Sequence, residues 1–208
     1  QEFLVVSVNV EFHFDFGSPN SYLSHRVIPA IEERTGVNFN YVPVLLGGLF
    51  KATNNKSPME AFAGIKNKPE YNALETKRFI SQNSITEYEM NPHFPVNTLY
   101  IMRGAIHAIN TGIGEQYIDA VYKAMWEQGE NMAGVEVIQR VLEAAGLPAA
   151  ELVASTADPE VKQQLVDNTA ASVERGNFGS PTFFVGSEMF FGKDKLRDVE
   201  EEIMRQIS

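Results

Sequence analysis

The sequence predicts an α/β fold: a strand–helix–strand unit at the start, a helix–strand–strand–helix unit at the end, and an all-helical segment between them. Three observations carry that expectation. Phe12, Phe14 and Phe16 alternate with His13 and Asp15, a period of two that marks a strand with one well-buried face. Thr182–Val185 and Glu188–Phe191 are short β-rich runs separated by Gly186-Ser187, a two-residue hairpin signal. Between these ends, residues 49–156 repeat apolar positions at helical spacing. The chain accordingly divides into a first part, residues 9–48, a helical insertion, 49–156, and a second part, 157–208.

Each element follows from local chemistry. Gly17 breaks the first strand. Ser18 can cap a helix, and Pro19 fits its first position, where no backbone N–H is needed. Leu23, Val27 and Ile31 continue at helical spacing; Pro29 predicts a bend, and Thr35-Gly36 a stop. Residues Val37–Leu46 read as the second strand, and 47–57 as a helical turn running into an exposed polar loop. Met59–Lys66 and Glu70–Gln82 read as short helices separated by Lys68-Pro69. Leu99, Met102, Ile106 and Ile109 mark a longer helix, and Ile118, Val121, Tyr122, Met125 and Trp126 another. Val135–Ala145 is a third, stopped by Gly146, while Pro148 and Asp158-Pro159 each restart a helix. Val161, Leu165, Thr169 and Val173 lead back to the sheet, and Leu196, Val199, Ile203 and Ile207 form the stripe of a last helix.

Composition narrows the function. The 208 residues make one large domain, or one with a sizeable insertion. With 27 acidic against 17 basic side chains the formal net charge is −10, which argues against a nucleic-acid partner and leaves room for a local basic pocket. There is no cysteine, so disulfide exchange on protein side chains is excluded, and any thiol chemistry must bring its own sulfur. No apolar run approaches the roughly 20 residues of a membrane span. Leu4-Val5-Val6-Ser7-Val8 is too short, and lacks the basic flank, for a signal peptide, so a cytoplasmic protein is expected.

Ser18 stands where a strand hands over to a helix N-terminus, an end that carries unpaired N–H groups and favours an anion. The plain alternative is a cap and nothing more. A free thiol titrates near about 8.5, so a hydroxyl donor at a positive helix end would favour its thiolate. Ser18 suits that role better than nucleophilic attack, because none of His13, His25, His93 and His107 makes a recognisable triad signature with it. His13 is expected to face away from the Phe12/Phe14/Phe16 side, and no histidine pair has metal-ligand spacing.

Taken together, the strand, the Ser18-Pro19-Asn20-Ser21 helix start, the helical middle and Gly179-Ser180-Pro181-Thr182-Phe183 resemble a thioredoxin-like fold with a large helical insertion, of the DsbA-like kind. More narrowly, the chain resembles the branch that holds 2-hydroxychromene-2-carboxylate isomerases and kappa-class glutathione transferases, from about Val10 to Ile207. The resemblance implies a cis bond before Pro181 that exposes the backbone of Ser180 beside Ser18, where the cysteinyl unit of glutathione could pair like an added strand. An ordinary trans proline is the alternative. Asp194 matches the acidic residue that the family places at the last helix start, whereas Lys193 stands where the family usually has serine. Asn55, in Asn55-Lys56-Ser57-Pro58, resembles the family's Asn-Lys-Pro-Pro contact. Lys68 fits the lysine that precedes a tyrosine, with Lys66 as a rival and a solvated surface charge as the alternative for both.

Phe16, Phe50, Phe94 and Trp126 are expected to line the pocket of an aromatic or conjugated small-molecule substrate, with core packing the alternative for Trp126. Met90 is a further candidate, and Tyr100 is expected in the core. The implied function is a glutathione-dependent isomerase in which Ser18 activates the bound thiol. The alternatives are a kappa-class-like transferase and a non-catalytic peptide-binding module. The resemblance also implies a homodimer.

Overall fold

The alternating aromatic run folds as β1 (Val10–Phe14), the second strand of a four-stranded sheet in the order β2-β1-β3-β4. The computed structural model describes residues 8–208, so Leu4–Ser7 of the short apolar run lie outside the described residues. Helix α1 (Pro19–Thr35) crosses over to β2 (Phe39–Pro43), which runs parallel to β1 with Val10 opposite Phe39. The chain then forms eight helices: α2 (Leu46–Thr53), α3 (Pro58–Phe62), α4 (Lys68–Gln82), α5 (Leu99–Asn110), α6 (Gly114–Trp126), α7 (Val135–Ala144), α8 (Ala149–Ser155) and α9 (Pro159–Glu174). It re-enters the sheet through the antiparallel hairpin β3 (Thr182–Val185) and β4 (Glu188–Phe191), then closes with a 3₁₀ turn (Lys193–Lys195) and α10 (Leu196–Ile207). This is a thioredoxin-like α/β fold with a large all-helical insertion.

The local signals act as their chemistry requires. Pro19 opens α1 and Pro29 sits inside it; Gly36, at φ 70°, ends it in the left-handed region that glycine adopts freely. Other boundaries shift. The second strand is Phe39–Pro43, shorter than Val37–Leu46, because Leu46 already begins α2. Lys68 and Pro69 do not separate two helices but form the first turn of α4, where proline is tolerated. Of the expected Met59–Lys66 helix only Met59–Phe62 forms, as part of α3.

The central strand is buried on both faces, not one. Phe12 stacks on Phe183 with ring centroids 5.2 Å apart and meets Tyr41 edge-on at 4.9 Å. On the opposite face, His13 is buried against α9, its Nδ1 2.8 Å from the Ser172 hydroxyl. Burial, with the nearby Arg175 cation second, lowers the His13 pKa to about 3, so the ring is neutral.

Candidate functional site

The end of β1 and the start of α1 build the site. Ser18 has extended backbone angles (φ −93°, ψ 118°), and its Oγ accepts the Ser21 N–H at 3.2 Å. The same hydroxyl donates to the Ser180 carbonyl at 3.0 Å. Ser18 is thus a helix cap, and it also touches the turn before β3. The Ser180–Pro181 bond is cis. Ser180 Oγ lies 2.7 Å from Ser21 Oγ and accepts the Asp15 N–H at 3.1 Å. Ser18, Ser21 and Ser180 are therefore joined to one another by hydrogen bonds, with Ser21 wholly buried and Ser180 half-buried.

Asp15 underlies this cluster. Its Oδ1 accepts from Gly17 N at 2.9 Å and Thr98 Oγ1 at 2.7 Å, and its Oδ2 accepts from Leu46 N at 2.7 Å. Burial raises its pKa, and these three donors oppose the rise. One carboxyl therefore ties the start of α2 and the start of α5 to the Ser18 turn. Sequence reasoning passed over Asp15 and Ser21. The signal for Ser21 was present in the repeated serine of Ser18-Pro19-Asn20-Ser21; the partners of Asp15 lie too far along the chain to be read locally.

The other predicted contacts gather in two groups. Gly192 N donates to the Pro181 carbonyl at 3.0 Å, which brings the 3₁₀ turn beside the Ser180–Pro181 turn. There Lys193 is buried, 5% exposed, with Nζ 2.7 Å from Asp194 Oδ1 and 4.9 Å from the centre of the Phe79 ring of α4. The Asp194 carboxylate is largely exposed. Asn55 Nδ2 donates to the Phe178 carbonyl at 3.0 Å and so binds the loop after α2 to the loop before Pro181. Lys68 is not tied to this group by a hydrogen bond; its Nζ sits 3.8 Å over the Phe62 ring, while Lys66 is exposed.

The expected pocket lining divides. Phe16 and Trp126 are both 0% exposed, and the Trp126 indole donates to the Phe16 carbonyl at 2.8 Å. They are core, because the indole N–H has found its partner inside and neither ring reaches an open surface. Phe50 and Phe94 are half-buried, and Phe94 lies against Trp126 at 6.2 Å between ring centres. Tyr100, expected in the core, is 41% exposed, and Met90 is also exposed. A separate groove of about 840 Å³ opens between α1, β2, α5 and α6, lined in part by His25, Glu32, Tyr41 and Asp119. It contains none of the predicted site residues.

Comparison with known proteins agrees with the fold. The chain is 24% identical over 197 residues to a 2-hydroxychromene-2-carboxylate isomerase of Sphingobium xenophagum, covering 94% of this chain and 97% of that protein. It is 26% identical over 205 residues to glutathione S-transferase kappa 1 of Homo sapiens, covering 90% and 87% of the two chains. The solved structure of a 2-hydroxychromene-2-carboxylate isomerase superposes with a TM-score of 0.81 at 24% identity, over 94% of each chain. The profile of the DSBA-like thioredoxin domain matches residues 9–204, from the first strand through the last helix, and the chain belongs to that family.

Proposed function

We propose that this chain is a glutathione-dependent isomerase of the 2-hydroxychromene-2-carboxylate isomerase type, in which Ser18 activates the bound thiol. The observation that carries the reading is the position of the Ser18 hydroxyl, at a helix N-terminus and 3.0 Å from the Ser180 carbonyl, in a chain without cysteine. A hydroxyl and a positive helix end together favour a thiolate that the protein itself does not own.

The donor set suits glutathione. The tripeptide carries a zwitterionic amino-acid end, and the helix start at Lys193-Asp194 offers backbone N–H groups for its carboxylate and the exposed Asp194 carboxylate for its ammonium. The backbone of Ser180 pairs with the cysteinyl unit, and Asn55 and Lys68 take the remaining polar groups. When bound, glutathione supplies a recyclable sulfur nucleophile for a conjugated substrate. Ser18 turns its hydrogen from the Ser180 carbonyl toward that sulfur, while Phe50 and Phe94 offer apolar surface to an aromatic or conjugated substrate. The similarity to both named relatives supports an enzyme acting on a small molecule, and dependence on glutathione supports a cytoplasmic setting. A homodimer belongs to the same reading: Met59, Ile65, Tyr71 and Leu74 stand exposed on and between α3 and α4, an apolar surface for a second copy to cover.

Calorimetric titration with reduced glutathione tests the reading. The wild type should bind, and Ser18→Ala should raise the pKa of the bound thiol by the equivalent of one charge-assisted hydrogen bond, roughly 1.5–3 kcal/mol. Overall affinity should fall less, since Lys193, Asp194 and the Ser180 backbone remain. Turnover of a chromene-type substrate without consumption of glutathione separates isomerase from transferase. No heat and no thermal shift at millimolar glutathione would overturn the proposal.

A further inference from the structure

We infer that the side-chain hydroxyl of Ser180 is a second hydrogen-bond donor to the ligand sulfur, aimed there by the buried Ser21. The inference rests on the thiol-activating reading of Ser18, and it concerns side chains for which that reading has no role.

A serine hydroxyl has one hydrogen to give and two lone pairs to fill. Ser18 has spent its hydrogen on the Ser180 carbonyl and one lone pair on the Ser21 N–H. Ser180 Oγ takes the Asp15 N–H at 3.1 Å, which can only donate, and shares a 2.7 Å contact with Ser21 Oγ in which either atom could be the donor. Burial decides the direction. Ser21 is 0% exposed, and Ser180 Oγ is the one hydrogen-bond partner of its hydroxyl among the described residues. The nearby Asp15 carboxyl already accepts from Gly17, Leu46 and Thr98.

Two orientations of this chain of hydroxyls are possible. If Ser180 donated to Ser21, the Ser21 hydrogen would be left buried with no acceptor. An orphaned buried donor costs about 1–3 kcal/mol. If Ser21 donates to Ser180, that hydrogen is paired. Both lone pairs of Ser180 are then filled, and its own hydrogen is left to turn outward. Ser180 is the half-buried member of the cluster, next to Ser18 and at the turn where the thiol is to lie. The sulfur would therefore meet two hydroxyls, Ser18 after it turns and Ser180 already uncommitted. Ser180 would touch the ligand; Ser21 is a positioning residue.

The test follows thiolate ultraviolet absorbance of reduced glutathione bound to the full chain, as a function of pH. Ser180→Ala, which keeps the backbone carbonyl, should raise the midpoint by about one unit, or about tenfold less thiolate at neutral pH. Ser180→Thr, which keeps the hydroxyl, should restore it. Ser21→Ala should raise the midpoint by a smaller amount, with affinity for the protonated thiol at acid pH unchanged. Variants that only lower the melting temperature and leave the midpoint in place would assign these residues to packing and overturn the inference. A shifted midpoint in Ser18→Ala with an unshifted one in Ser180→Ala overturns this inference alone. Failure of the wild type to bind glutathione overturns the thiol reading of the site, and the inference with it.

Discussion

At the scale of single residues, β1 places two titratable groups in opposite situations. Asp15 is met by three donors; among the described residues His13 has one hydrogen-bond partner, the Ser172 hydroxyl, with its Nε2 unbonded. The local pattern indicated that His13 turns away from the aromatic side, but not that α9 would seal the face it turns to. That sealing has a consequence for stability. The unfolded chain takes up a proton on this ring near pH 6.5, and the folded chain only near about 3. The contribution of neutral His13 is therefore complete above the unfolded value and is lost as pH falls through that interval, by about 1.4 kcal/mol per pH unit for one proton. Urea unfolding of His13→Gln, which can still hydrogen-bond Ser172, should show a pH slope shallower than wild type by about that amount between pH 6.5 and about 4. Equal slopes would mean that the ring is protonated in the fold.

At the scale of elements, the loops are what deliver the site. The loop after α2 reaches the loop before Pro181 through one amide, Asn55 to the Phe178 carbonyl, across 123 residues of sequence. Removing it should loosen the approach of the two loops and leave the Ser18 turn intact. Asn55→Ala should accordingly weaken glutathione binding roughly three- to tenfold, as expected for one net hydrogen bond, without moving the pKa of the bound thiol. An affinity equal to wild type would remove Asn55 from the site. Helix ends were legible where a cap or a breaker is local, as at Ser18-Pro19, Gly36 and Asp158-Pro159, because those residues act on their own backbone. They were misplaced at Lys68-Pro69, where proline can close one helix or open the next and only the neighbouring packing chooses.

At the scale of the molecule, the helical insertion is unevenly covered. Phe79 near the end of α4 is buried, yet Tyr71 and Leu74 on the same helix are 56% and 43% exposed, with Met59 and Ile65 alongside them in sequence. A second copy seated there would bury this surface. Sedimentation should therefore report a dimer of the 23.2 kDa chain, and Leu74→Lys should shift it toward monomer. A clean monomer for the wild type would sink the proposal.

The sequence by itself determined the strand–helix–strand and helix–strand–strand–helix ends, the helical middle, the absence of any protein thiol, and the placing of Ser18 at a helix start. Each depends on residues within a few positions of one another: a period of two or of 3.6, a cap, a breaker, a missing residue type. Only the tertiary structure decided which aromatic rings are core and which are surface, because Phe16 and Trp126 satisfy each other across 110 residues. It also decided that Asp15 holds Leu46 and Thr98 at separations of 31 and 83 residues, and that Ser180 comes to Ser18 and Ser21 from about 160 positions away. Such contacts form between groups whose positions are set by the whole packed core. A hydroxyl or a carboxyl carries no local mark of the partner that folding will bring to it.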